Sequence, residues 1–413
     1  MPVSRTPSST KHRPDIGYHT GMEPEAIFVL SSLLFVFSLA LTLWIHSRQH
    51  IDTALPGPQE LGNEGDLPEL CVVVPARNEG RNIRRSVQAL LAQDYPDYRL
   101  VVVDDRSRDE TEQILAELSA RDSRLKVVAG REPPAGWAGK PHALTLGVEA
   151  CPAEPPAEWL CFIDADTFAA PHLLRSAVGL AGRCQADMLS ILTDQELGSF
   201  WEKAILPLVF TALSVGFPAD QVNDPHRPVA IANGQFILIR RAVYEAVGGH
   251  RAVRSEIAED KALAERVKHS GYRLLLADGR HAARTRMYTS FAEIWEGWTK
   301  NIYLGMRDRV GLLLFGAFTC LTGALAFPLW PLAGILWLLS GGGLPAAFVC
   351  LQALVLWAVL LYLRIRTARA MHIHPLYALT FSPGLLVFAA MMMASIYNVL
   401  SGRGVKWKGR VYR

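Results

Sequence analysis

Hydrophobic positions change texture along the chain. From Ala26 to Ile45 they run for twenty residues without a charge, enough to span a bilayer as a helix. A cleaved leader is disfavoured, because the run exceeds a usual signal core and no small-x-small site follows closely. The last hundred residues hold three more such runs: Gly311 to Leu339, Leu344 to Leu363 and Leu376 to Leu400. The first is broken at Phe327-Pro328-Leu329-Trp330-Pro331, and the third contains Ser382-Pro383-Gly384. Arg364, Arg366 and Arg369 follow the second run; Arg403, Lys406, Lys408, Arg410 and Arg413 follow the third. The positive-inside rule wants both clusters in the cytoplasm, which three simple passes do not allow. Either the third run is a re-entrant hairpin at Ser382-Pro383-Gly384, or the first splits into two short spans; broken helices are tolerated where protein covers them.

Between the anchor and this region, from about Glu64 to Arg309, polarity is that of a soluble domain. Leu70 to Pro75 (LCVVVP) is a continuous apolar run, as in a strand buried on both faces. Arg81 to Gln93 then places Ile83, Val87, Leu90 and Leu91 on one helical face. Arg99 to Val103 predicts a second strand, ending at Asp104-Asp105. Asp109 with Glu112 predicts a capping box opening a helix that buries Ile114, Leu115 and Leu118. Leu125 to Val128 and Trp159 to Ile163 predict the third and fourth strands, the latter ending at Asp164-Ala165-Asp166. Alternating strands and helices predict a parallel, doubly wound α/β sheet, whose ligand sits beyond the carboxyl ends of the strands. The expected layout is a tail over 1–25, an anchor over 26–45, the α/β domain over 64–309, a C-terminal membrane region over 310–400 and a basic tail over 401–413.

Composition agrees with this division. Of 413 residues half are hydrophobic and a fifth charged, which excludes a disordered chain. The net charge of +3 gives no sign of nucleic-acid binding. Cys71, Cys151, Cys161, Cys184, Cys320 and Cys350 form no metal-like spacing. They are expected to be reduced, small buried hydrophobes rather than disulfides.

Asn78, Asp104-Asp105 and Asp164 to Asp166 fall where a ligand is expected. No G-x-G-x-x-G follows the first strand and no phosphate-loop motif occurs, which disfavours dinucleotide and P-loop enzymes. Two acids one residue apart at a strand end offer a different device, since hard carboxylate oxygens suit Mg2+ or Mn2+, and such an ion would neutralise a diphosphate.

At these residues the chain resembles the inverting family 2 glycosyltransferases. Val74-Pro75-Ala76-Arg77-Asn78-Glu79 matches the family's first-strand motif, Val103-Asp104-Asp105-Arg106-Ser107 its V-D-D-x-S, and Gly139-Lys140-Pro141-His142-Ala143-Leu144 a G-K-x-x-A-L element. Asp164-Ala165-Asp166 matches the D-x-D and Glu259-Asp260 the E-D pair. The flanking membrane runs, Trp298-Thr299-Lys300-Asn301 and the ending Val405-Lys406-Trp407-Lys408-Gly409-Arg410 resemble members that glycosylate lipids, such as carotenoid-acid, hopanoid-associated and ceramide glycosyltransferases. The resemblance implies a GT-A, Rossmann-like domain that binds a nucleotide sugar, most simply a UDP-sugar, through Pro75, Asn78, Glu79, Asp105, Lys140, Asp164 and Asp166. It implies that Asp105 holds uracil or ribose, that Asp164 and Asp166 hold the metal and diphosphate, and that Asp260 is the base that takes the acceptor proton. The Q-x-x-R-W motif of processive members is absent; the corresponding stretch reads Glu296-Gly297-Trp298-Thr299-Lys300, which points to addition of one sugar. Lys300, Arg284 and Arg286 are candidates for contacting diphosphate or acceptor.

The reading is therefore a multi-pass protein of the cell membrane, with a cytoplasmic catalytic domain that moves one sugar to a lipid hydroxyl or carboxyl. Its rivals are transfer to a polyprenyl phosphate, a non-catalytic scaffold with a relic domain, and a transporter. The last is weakened because no Asp or Glu lies between Gly311 and Leu400. Phe291, Ile294, Trp295, Trp298 and Ile302 recur at helical spacing and are read as facing the headgroup layer. Phe200 to Phe217 is read as either a core helix or one dipping into lipid. His142, His250 and His281 are expected to be structural, and His372-x-His374 a loop.

Overall fold

The computed structural model describes residues 23–61, 67–152, 156–306, 310–407 and 410–412. Expectations for residues 1–22, Glu64, Arg309, Lys408, Gly409 and Arg413 lie outside the described residues. The chain opens with α1 (Pro24–Ser47). It then alternates β1 (Leu70–Ala76), α2 (Ile83–Leu91), β2 (Tyr98–Asp104), α3 (Thr111–Ser119), β3 (Leu125–Ala129), α4 (Gly139–Ala150) and β4 (Trp159–Phe162). There follow β5 (Thr167–Ala169), α5 (Leu173–Arg183), β6 (Met188–Leu192), β7 (Asp194–Gln195), α6 (Phe200–Gly216) and α7 (Ala219–Asn223). The domain closes with β8 (Ile237–Arg240), α8 (Arg241–Ala246), α9 (Gly249–Ala252), α10 (Glu259–His269), β9 (Leu274–Asp278) and β10 (Ala283–Thr285). The remaining elements are α11 (Phe291–Met306), α12 (Val310–Leu339), α13 (Gly343–Ala370), a 3-10 helix over Pro375–Thr380, α14 (Phe381–Leu400) and a hairpin of β11 (Val405–Trp407) and β12 (Arg410–Tyr412).

The central sheet has seven strands in the order β3-β2-β1-β4-β8-β6-β9. Strands β3, β2, β1 and β4 are parallel, as their uniformly apolar runs require. The all-parallel expectation fails at β8, which pairs antiparallel with both β4 and β6. Its sequence cannot reveal this, because a strand buried on both faces reads the same in either direction. A second sheet, β5-β10-β7, hangs at the carboxyl edge of the first.

Alternation along β1 divides the core in two. Leu70, Val72, Val74 and Ala76 enter one apolar cluster with α2 and α5. Cys71 and Val73 enter the other, under α4 and α10. Helix α4 approaches β1 closely because residue 147 is glycine; a Cβ there would meet Val73 Cγ1 at 2.3 Å. This packing aims the first turn of α4, with Lys140, at the carboxyl end of β4.

Two expectations are corrected here. Cys71 and Cys151 form a disulfide, their Cα atoms 6.2 Å apart. Cys71 faces α4 from β1, and Cys151 caps the end of that helix, so packing brings together residues 80 apart in sequence. The capping box is also absent: α3 starts at Thr111, while Asp109 accepts from the Thr111 N–H at 3.1 Å and the Gly80 N–H at 2.9 Å.

Among the described residues four helices are long and apolar enough to cross a membrane: α1, α12, α13 and the segment Pro375–Leu400. Neither expected break is found. Helix α12 runs through Pro328 and Pro331, and α14 keeps Pro383 and Gly384 in its first turn, where proline is tolerated. The interruption lies earlier, over residues 371–380. Gly384 instead allows close packing, since a Cβ there would lie 2.9 Å from the Ala204 carbonyl of α6. The expected headgroup face of α11 is a packing face. Ile294 and Trp298 are buried with α6 and α14, and Phe291, Trp295 and Ile302 pack around them. Helix α6 is buried from Ala204 to Val209, but Phe200 and Trp201 at its start are exposed.

Candidate active site

The carboxyl ends of β1, β2 and β4 and the starts of α4 and α10 converge. Asp164 follows β4, and its Oδ1 lies 2.6 Å from Lys140 Nζ. The same ammonium reaches Glu259 Oε1 at 2.8 Å. Although the Lys140 side chain keeps 35 % exposure, its ammonium is enclosed by Asp164, Glu259 and Asp260. Burial opposes that charge, yet the three carboxylates hold it well above the ordinary lysine value. Asp260 lies one residue further along α10. Its Oδ2 accepts from the Gly234 N–H at 2.9 Å and its Oδ1 from the Lys261 N–H at 2.8 Å.

Gly234 is the hub of this arrangement. A Cβ there would stand 3.0 Å from Lys140 Nζ, 3.1 Å from Asp260 Oδ2 and 3.6 Å from Asp164 Oδ2. Its lack of a side chain leaves the space between Lys140, Asp260 and Asp164 open. Pro75, Lys140, Asp164, Gly234, His250 and Glu259 line a recess at this point. His250 is buried, bonds Tyr244 Oη through Nδ1 at 2.9 Å, and burial drives its pKa down to about 3.

Glu259 is buried and pushed up to about 7, chiefly by burial; Lys140 opposes the shift and Asp260 and Asp164 reinforce it. Since this lies above the ordinary glutamate value, its contribution to stability is complete below about pH 4.5 and is lost as pH rises through about 7. The thermal midpoint of the detergent-solubilised protein is expected to fall across that window. Glu259→Gln, neutral throughout, removes that part of the slope; an unchanged slope in the variant would refute the assignment.

The other expected site residues are held by contacts of their own. Asp105, buried at the end of β2, meets Arg77 at 3.4 Å and Arg106 at 3.1 Å. Asn78 has a φ of 54°, tolerated because its Oδ1 accepts from the Arg108 N–H at 2.8 Å. The Glu79 carboxylate accepts from Asn82 at 3.1 Å, at the entry to α2. Asp166 turns toward β10, where Thr285 Oγ1 donates to its carbonyl at 3.0 Å. Arg284 pairs with Asp194 at 3.1 Å and Arg286 with buried Glu202 at 3.4 Å. Lys300 lies on α11. Arg77 and Arg106 as holders of Asp105 escape sequence reasoning, because their partner is fixed only by the turn geometry after β1 and β2.

The donor set fits a divalent ion held by one or two carboxylates and completed by diphosphate oxygens and water. Asp164 already attracts a cationic group, the Lys140 ammonium. It does not fit an all-protein cage: among the described residues no group of three or more His, Cys, Asp or Glu is spaced to hold an ion.

Residues 71–248 match the glycosyl transferase family 2 model. This stretch is a glycosyl transferase family 2 domain, and it supports a transferase. It is 28% identical over 269 residues to 4,4'-diaponeurosporenoate glycosyltransferase of Staphylococcus aureus (strain USA300), an alignment covering 62% of this chain and 68% of the relative. Its fold is that of a mannosyltransferase from Pyrobaculum calidifontis solved with GDP-Man and Mn2+. The TM-score is 0.51 at 17% identity, covering 92% of this chain and all of the other. The GT-A domain with membrane helices on both sides agrees with the sequence-based expectation.

Proposed function

We propose that the protein transfers one sugar from a UDP-sugar to a hydroxyl or carboxyl of a membrane lipid, with inversion. The observation that carries the proposal is the placement of Asp260. Two backbone N–H groups fix its carboxylate, which faces the same bare Gly234 as Asp164 and the Lys140 ammonium. A single displacement at an anomeric carbon needs one base opposite the leaving group. In this reading Asp260 accepts the acceptor's proton, while Asp164 and Asp166 would hold Mg2+ or Mn2+. Such an ion would supply charge neutralisation for the diphosphate. Asp105 with Arg77, and the Asn78 turn, position the nucleoside from the ends of β1 and β2; Glu79 braces that turn. Lys140 keeps Asp164 and Glu259 in place and offers positive charge to the phosphates. The relative named for a carotenoid acid supports an apolar acceptor, and helices long and apolar enough to cross a membrane support a setting where such an acceptor dissolves. The fold neighbour's GDP-Man and Mn2+ support a nucleotide sugar and a divalent ion. The catalytic domain faces the cytoplasm in this proposal, where nucleotide sugars are made.

The test is a donor panel. Membranes carrying the protein are incubated with labelled UDP-glucose, UDP-N-acetylglucosamine or GDP-mannose, and label in the organic extract is counted. One UDP-sugar is expected to label the lipid phase, EDTA to abolish labelling, and Mn2+ or Mg2+ to restore it. Label confined to the aqueous phase with every donor overturns the acceptor class. Transfer indifferent to EDTA overturns the metal's role.

A further inference from the structure

The direction of α14 contradicts a fourth membrane crossing. Gly334 lies against the backbone of Cys350, and the Phe327 ring is 5.9 Å from Trp357, so α13 returns antiparallel along the second half of α12. Gly316 lies against Met392, Gly323 against Leu385, and Phe327 5.3 Å from Phe381, so α14 is also antiparallel to α12. Consecutive helices α13 and α14 therefore point the same way. If both crossed the bilayer, the link between them would have to cross it as well. That link is residues 371–380, six of them in the 3-10 helix. At about 2 Å per 3-10 residue and about 3.5 Å per extended one, it reaches roughly 26 Å at most, short of the ~30 Å hydrocarbon core.

The link also starts and ends on one side. Arg364, near the basic end of α13, lies 5.6 Å over the Phe381 ring at the start of α14. From there α14 runs along the catalytic domain, through Gly384 against α6 and Ser395 Oγ donating to the Thr299 carbonyl of α11 at 2.8 Å. Helix α1 runs parallel to α13, with Phe28 6.0 Å from Phe348 and Ser31 bonded to Gln352 at 3.2 Å. The end of α1 meets the domain at Arg48–Asp220, 3.6 Å.

We infer that the chain crosses the bilayer three times, by α1, α12 and α13, and that residues 371–400 form a re-entrant segment, docked at the lipid surface on the domain's side, whose α14 lies along the first half of α12 and leaves on the side it entered. Both basic clusters then share one face of the membrane, as the charge rule requires. The docking edge is apolar and aromatic. Phe200 and Trp201 are exposed at the start of α6, and Leu376 and Leu379 beside them on the 3-10 helix. Tyr377 bridges the two, 5.8 Å from Phe200, and Lys203 lies 5.8 Å over its ring, an arrangement suited to anionic headgroups. This edge adjoins the catalytic cleft: Arg286 pairs with Glu202 in the first turn of α6, and the preceding Thr285 bonds Asp166. The mouth of the cleft is thereby held against the lipid surface.

Sidedness decides the matter without any activity measurement, so it stands or falls apart from the proposed reaction. The full chain is prepared with an epitope on a flexible linker after Arg413, and separately with one before Met1. Sealed vesicles with the catalytic domain outward are treated with an impermeant protease. The C-terminal epitope is expected to be lost together with the domain, while the N-terminal one survives until detergent is added. A C-terminal epitope protected alongside the N-terminal one, and cleaved only in detergent, means four crossings and overturns the inference.

Discussion

Asp260→Asn is expected to lower the rate of sugar transfer by about 10²- to 10⁴-fold, the range that removal of a positioned general base produces. Donor binding should be unchanged, because the nucleoside and diphosphate contacts proposed here lie on Asp105, Lys140, Asp164 and Asp166. Asparagine keeps one oxygen for the Gly234 or Lys261 N–H but turns an amide toward the other, costing about 1 kcal/mol of stability. A thermal midpoint measured beside the rate separates that cost from the chemical one. A variant retaining wild-type turnover would remove Asp260 from the mechanism and leave Glu259 as the remaining acid at the same turn.

The second large effect concerns stability. The Cys71–Cys151 bridge closes a loop of 80 residues, worth about 4.5 kcal/mol in the chain-entropy account. The Cys71→Ala/Cys151→Ala double variant is expected to melt roughly 10 °C or more below the wild type, with little change in the specific activity of its folded fraction. Reductant should leave the bridge intact under native conditions, since both cysteines are buried, and open it only with unfolding. Alkylation followed by mass spectrometry checks this. Two free thiols in the folded protein would contradict it.

The sequence announces its parallel strands because each is a continuous apolar run between turn residues, and its acids because they stand at the ends of those runs. Asp164, Glu259 and Asp260 do meet, as the motifs imply, with Lys140 among them. The role of Gly234 is hidden, since a glycine's value lies in what approaches it, here three charged groups from three separate segments. The disulfide is hidden for a like reason: Cys71 and Cys151 share neither spacing nor motif and meet only because Gly147 lets α4 lie flat on β1. Trp295 and Trp298 illustrate a different limit. Helical periodicity marks a face that wants cover, but it does not say whether lipid or α6 and α14 provide it. The same ambiguity affects α14, whose composition matches a membrane span while its contacts place it along the domain.

The central claim is one direct displacement at the anomeric carbon, driven by Asp260 on the face opposite the diphosphate. Its most direct test is the anomeric configuration of the glycolipid made by the purified protein from an α-linked UDP-sugar, read by proton NMR of the isolated product. The account predicts a β-glycoside from the first turnover. An α-glycoside would require a second displacement or a front-face route, and would contradict the assignment of Asp260 as base.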